Sequence, residues 1–154
     1  MTGEVVYIHI TPEAGQPLRA VDSVVAEEGK GLVGDRYHDS AGTYSETPGS
    51  GRHVTLIEGE AIESLERDSG IRLEPGESRR NITTRGVSLS ELVDRELRIG
   101  EVVLRGTRPA GPCQYLEDTV GKPGTLKGLA NRGGLRCEIV SGGTIRIGDA
   151  ITPP

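Results

Sequence analysis

The stretches LRIGEVVL (97–104) and TIRIGDAI (144–151) decide the reading of the fold. Each alternates apolar and polar residues up to an Ile-Gly-acid step and then resumes with apolar residues. A period of two places one set of side chains on a buried face of a strand. The glycine marks a break or bulge between two strands. We read the shared pattern as one turn or bulge device used twice, not as a duplicated domain. Upstream, EVVYIHI (4–10) predicts a first strand closed by Thr11-Pro12. Ala20–Ala26, within 17–27, predicts one further strand ended by Gly29 and Gly31. Leu135–Val140 followed by Ser141-Gly-Gly-Thr144 predicts a hairpin into the last strand. A chain with no Phe, no Trp and four Tyr builds its core from Val, Ile and Leu, which favours sheet.

Helix is expected in two places. Val54–Gly70 opens with Thr55 and Glu58 at capping-box spacing, carries Ile57, Ala61, Ile62 and Leu65 on one face, pairs Glu63 with Arg67, and stops at Gly70. Ser88 to Glu91 opens a shorter helix, with Leu89, Leu92 and Val93 turned inward. Residues 31–53, rich in Gly, Ser, Thr and Pro, form a loop long enough to be functional, with His38, Tyr44 and His53 as candidates for touching a substrate. Many short strands, frequent glycine turns and two or three short helices predict a mainly β protein with a closed or nearly closed barrel; an open α+β sheet is the alternative. A length of 154 residues suits one domain, 1–154.

The net charge is −5, from 23 acidic and 18 basic residues. That balance argues against nucleic-acid binding. Only Lys30, Lys122 and Lys127 are lysines, however, and the remaining bases are arginines, the better residue for forked recognition of phosphate or carboxylate. A local anion site is therefore compatible with an acidic whole. Cys113 and Cys137 make no disulfide framework. The start MTGEVVYIHI has neither the basic nor the long apolar region of a signal peptide, and no apolar run approaches a membrane span. The expectation is a cytoplasmic protein that engages no membrane.

Three segments carry chemistry. In RGTRPAGPCQYLEDTVGKPGTLKGLANRGGLR (105–136), a strand leads through Pro and Gly to Cys113, and Arg132-Gly133-Gly134-Leu135-Arg136 follows. Nearby cations lower a thiol's pKa, so such a loop suits a reactive thiolate, although a lone Cys is more often a small buried hydrophobe. Gly34-Asp35-Arg36-Tyr37-His38-Asp39, with Arg52-His53, offers groups for a divalent metal or acid–base work; neither spacing is a recognised metal pattern, and an ion pair of Asp35 with an arginine is the plainer reading. Ser78-Arg79-Arg80-Asn81-Ile82-Thr83-Thr84-Arg85-Gly86 offers forked donors, an amide and hydroxyls for an anion, or else a solvated turn. No nucleophile elbow, dinucleotide fingerprint or phosphate loop is present.

In order, GLVGDRY (31–37), GTYS (42–45), RHVTLIEGEAIE (52–63), RRNITTRG (79–86), IGEVVL (99–104), PCQYLE (112–117) and RGGLRCEIVSGGTIRIGD (132–149) make the chain look like a MOSC domain, the C-terminal domain of molybdenum cofactor sulfurases and a small stand-alone protein in many bacteria. The resemblance implies a barrel of the pyruvate kinase barrel-domain type with two or three short helices. It also implies a site for molybdenum cofactor (molybdopterin), with Cys113 as metal ligand or sulfur carrier. Arg79, Arg80, Asn81, Asp35, Arg132, Gly133 and Arg136 would bind the cofactor. The implied roles are sulfur transfer to the cofactor or molybdenum-dependent reduction of N-hydroxylated compounds. These would call for a separate cysteine desulfurase or electron donor as partner. The alternatives are a barrel that handles another small anionic or sulfur-bearing molecule without molybdenum, or a non-catalytic partner-binding barrel. Two departures matter. Ala110 stands where many short relatives have a second Cys, and no Lys sits in a Schiff-base setting, so pyridoxal phosphate belongs to the family name only, with no covalent binding expected.

Overall fold

The computed structural model describes residues 2–11, 17–35, 53–110, 121–129 and 132–153. Its strands are β1 (Gly3–Ile10), β2 (Arg19–Val21), β3 (Ser23–Glu27), β4 (Gly31–Leu32), β5 (Val54–Glu58), β6 (Ile82–Arg85), β7 (Glu96–Ile99), β8 (Val102–Pro109), β9 (Leu135–Ser141), β10 (Gly143–Arg146) and β11 (Ala150–Thr152). Between them lie helix α1 (Gly59–Ser69), a 3-10 turn (Leu89–Leu92) and the single helical turn α2 (Thr125–Gly128). Strands β11, β7, β8, β9, β5, β6 and β1 are hydrogen-bonded in that order, and β1 returns to β11 through Gly3 and Ile151, which closes a seven-stranded barrel. The expected mainly β barrel is what forms. Val5, Ile8, Leu56, Ile82, Leu104 and Ile145 are among the buried aliphatics of one continuous core. Closure removes the exposed sheet edges that an aromatic-poor core would struggle to cover. Among the described residues no helix is long and apolar enough to cross a membrane.

The twin Ile-Gly-acid stretches do share a backbone device. Gly100 (φ 57°) and Gly148 (φ 90°) both occupy the left-handed region that glycine favours. Their consequences differ. At Gly100 the chain folds back as the β7–β8 hairpin, whereas at Gly148 it passes from one sheet to another.

Four expectations are corrected. Val54–Glu58 is strand, not the start of a helix. β5 runs parallel to β6 and its first four residues are all buried, so the run lacks the alternation that marks a half-buried strand. Thr55 Oγ1 is engaged with Asn81, and no side chain caps α1. Glu63 pairs with Arg85 of β6, while Arg67 turns to Asp68 and Ser64. Gly70, by contrast, ends α1 as expected, with φ 70° and its N–H donated to Glu66 O. The strand expected over 20–26 is two, divided at Asp22: β2 pairs with β1, and β3 pairs with β10 in a small sheet with β4. Asp22 O accepts the Ile147 N–H at this crossing. Finally, β9 and β10 make no hairpin. β9 stays between β8 and β5, and the glycine pair 142–143 carries the chain across to β3 so closely that a Cβ on Gly142 would stand 2.6 Å from Ala26 O.

The expected second helix is the 3-10 turn, with Leu89 and Leu92 buried. It seats against β8 at Gly106, where an added Cβ would lie 2.2 Å from Leu92 O. Gly106 N–H donates to Arg95 O, and Gly106 O accepts from Asp94 N–H, both at 2.9 Å. Gly106→Ala must push these backbones apart and is expected to cost about 3 kcal/mol in urea unfolding. A loss below about 1 kcal/mol would mean that the turn does not pack on β8 in this way.

Candidate functional site

Residues paired across neighbouring strands point to the same side of the sheet. Arg108 pairs with Arg136, and Arg136 pairs with Thr55. Thr55 bonds to Asn81 at the start of β6, and Asn81 bonds to His9 of β1. Their neighbours Cys137, Leu56, Ile82 and Ile8 fill the barrel. The row Arg108, Arg136, Thr55, Asn81 and His9 therefore lies on the outer face, across five adjacent strands. An outer face normally meets solvent, yet Thr55, Asn81 and His9 are only 4%, 1% and 2% exposed.

Asn81 holds this row together. Its Oδ1 accepts from Thr55 N–H (3.1 Å) and Thr55 Oγ1 (3.3 Å), and its Nδ2 donates to His9 O at 3.1 Å. Its backbone N–H donates to Thr55 Oγ1, and its carbonyl accepts from His9 N–H at 2.7 Å. The carboxamide thus acts as an extra peptide group between β5 and β1, where β6 begins. His9 Nδ1 is buried with no hydrogen-bond partner among the described residues, and burial lowers the pKa of the ring. A buried nitrogen left so is uncommon.

Arg79 and Arg80 lie in the connection that leads into β6. Arg79 is 7% exposed and holds φ at 60°, a conformation that non-glycine residues seldom adopt. Arg80 reaches across the barrel wall: Nε donates to Gly133 O (2.8 Å) and an Nη to Ala110 O (3.0 Å). It clasps the end of β8 to the approach to β9. Gly134 crosses β5 there so tightly that an added Cβ would lie 2.0 Å from Leu56 O, and its φ of 116° is itself a glycine conformation. Arg132 points elsewhere, with Nε donating to Gly128 O (2.8 Å) and an Nη 3.7 Å from Asp68. Asp35, fully buried, accepts the Thr11 N–H at 3.2 Å.

The structure thus brings Asn81 and Arg136 together through Thr55, and joins Arg80 to Gly133. Cys113, His38 and Tyr44 lie outside the described residues. Cys137 is a buried core residue whose thiol pKa is pushed far up by burial. His53 Nδ1 accepts the Ile139 N–H at 3.2 Å; burial lowers its pKa, with Glu138 opposing. Among the described residues no group of three or more His, Cys, Asp or Glu is placed to hold a metal. Sequence reasoning missed His9 and Thr55. Period two says only that His9 faces away from the core, Thr55 was read as a helix cap in a run without alternation, and only their burial reveals that the outer face is covered.

Beside the Arg80 clasp is a cavity of about 200 Å³ between Glu58, the 3-10 turn, Pro109-Ala110 and Arg132 to Leu135. Asn81→Ala strands the Thr55 N–H and the His9 carbonyl in the interior. It should cost about 3 kcal/mol by chemical denaturation. A loss under about 1 kcal/mol would show that the amide bridge is not made.

The profile of the MOSC domain matches residues 39–152. Among solved structures, the chain superposes on the YuaD protein from Bacillus subtilis with a TM-score of 0.83 at 17% identity, over 98% of this chain and 94% of that one. It superposes on YiiM from Geobacillus stearothermophilus at 0.76 and 14% identity, over 99% and 75%, and on YiiM from Escherichia coli at 0.69 and 18%, over 98% and 69%. At such identities the likeness is one of fold. A comparison with curated protein sequences returned no match.

Proposed function

Starting from the premise that this chain belongs to the MOSC domain family, we propose that it binds molybdenum cofactor on the outer face of the β1–β6–β5–β9–β8 wall. It would act either in sulfur transfer to that cofactor or in molybdenum-dependent reduction of N-hydroxylated compounds. The observation that carries this reading is the buried polar row itself, with Arg79 and Arg80 beside it. Pterin phosphate is anionic and rich in hydrogen-bonding groups, and arginine forks with an amide suit it. His9 Nδ1, buried and lacking a partner among the described residues, fits a face completed by a ligand. The residues present therefore fit the group.

In this reading Arg79 and Arg136 make the anion contacts, and Arg132 with Gly133 shapes the adjoining edge. Arg80 and Asn81 act from behind, because their described bonds run to carbonyls and to Thr55. Asp35 steadies the chain beyond β1 through Thr11. Cys113 follows Ala110 by three residues and supplies the soft thiolate, as metal ligand or persulfide carrier. When bound, the cofactor supplies a metal for two-electron chemistry or an acceptor for sulfur. A separate protein partner, an electron donor or a cysteine desulfurase, completes either activity, and the cytoplasm is its place of work.

The test is molybdenum by elemental analysis together with pterin fluorescence after acid oxidation, on protein made in a host that synthesises the cofactor. Near-stoichiometric metal and pterin are expected, with both lost in Cys113→Ala and reduced at least about tenfold in Arg136→Ala. Neither metal nor pterin in the unaltered chain would refute the proposal.

A further inference from the structure

Another cavity, of about 370 Å³, lies between α1, the segment 72–75 and the outward residues of β1 and β6. Small-molecule sites span roughly 300–1,000 Å³, so it is large enough for a compact ligand. Tyr7 and Thr83 are paired across β1 and β6 and line its sheet side, pointing away from the barrel that Ile8 and Ile82 fill. Val6, Ile62, Leu73 and Pro75 give it apolar walls. Its charged residues are Glu63, Glu66, Arg72, Glu74 and Arg85, and four of them cancel in pairs. Glu63 is joined to Arg85, and Arg72 to Glu74 at 3.1 Å. Glu66 is left over, with no ion-pair partner among the described residues. Tyr7 is 40% exposed, and it is the one aromatic ring among the exposed large hydrophobic side chains described.

We propose that this cavity binds a small alkylated ammonium ion, with its charge shared between Glu66 and the ring of Tyr7. An exposed tyrosine or glutamate alone is simply solvated. Here the two line one concavity whose other charges are already compensated, and that combination selects a cation. The face of an aromatic ring attracts positive charge. Aliphatic walls offer no acceptors, so they favour a cation clothed in methyl and methylene groups over one rich in N–H donors. An anion of the same shape is refused, because Arg72 and Arg85 are engaged by Glu74 and Glu63, and Glu66 repels it. A neutral molecule of that shape covers the same apolar surface but gains nothing from Glu66 or from the ring. None of the residues assigned to the cofactor lines this cavity, so the inference stands or falls apart from the function proposed above.

The test titrates the full chain, as purified, with choline, with dimethylbutanol and with dimethylbutanoate, by ligand-observed NMR and calorimetry. Dimethylbutanol is the neutral isostere of choline, with carbon in place of the nitrogen, and dimethylbutanoate presents the same branched group on an anion. Choline is expected to bind at least about tenfold more tightly than either. Tyr7→Leu keeps an apolar side chain but removes the ring. It is expected to weaken choline at least about threefold and to leave the alcohol within about twofold. Glu66→Gln removes the charge at nearly constant shape and is expected to weaken choline at least about threefold. Both side chains are exposed, so neither change opens the core, and each variant checks the other. Absence of choline binding, equal binding of the alcohol or of the anion, or unchanged choline affinity in either variant overturns the proposal.

Discussion

The carboxamide of Asn81 is the constraint on which the rest depends. Strand β6 is only four residues long, and it lies between β1 and β5 in the barrel wall. Where it begins, the neighbouring strands face each other with a donor, Thr55 N–H, and an acceptor, His9 O, that β6 no longer reaches through its own backbone. Buried peptide groups left this way are costly, and one amide side chain satisfies both. The bridge keeps the outer face of this wall continuous past the end of the strand. On that continuous face the buried polar row is assembled, and the turn that delivers Arg79 and Arg80 is anchored to it.

Charge is arranged to match. An acidic protein sets two arginines side by side on this wall, where Arg108 and Arg136 are cross-strand neighbours. Arg80 serves the architecture instead, clasping Ala110 at the end of β8 to Gly133 before β9. Within the Arg-Arg-Asn string the second and third residues hold the wall, and the first takes a positive φ.

Much of this was legible in the residues. The alternating apolar strands, the glycine breaks at 100 and 148 and the stop at Gly70 behave as elementary sterics require. The ordered motif blocks pointed to the family that the profile match bears out. What was illegible followed from tertiary context. Val54–Ile57 carries no period because it is covered on both sides, so the capping-box spacing of Thr55 and Glu58 outweighed a strand signal that was not there to see. The passage of β10 to β3 depends on a close backbone approach at Gly142. Two glycines in sequence look the same whether they turn a hairpin or let one sheet cross to another. Of the candidate site, Arg79, Arg80 and Asn81 were visible as a string. That Arg80 and Asn81 bond within the wall emerged only with their partners in hand, and the buried imidazole of His9 gave no signal at all.

The proposed site lies outside the barrel, on the wall that Asn81 holds together. Anomalous X-ray scattering at the molybdenum edge, from crystals of protein purified out of a cofactor-making host, tests it most directly. The account predicts a single peak over the outer face of β5, β9 and β8, on the side of Arg136 and the Arg80 clasp. A peak within the barrel would contradict it.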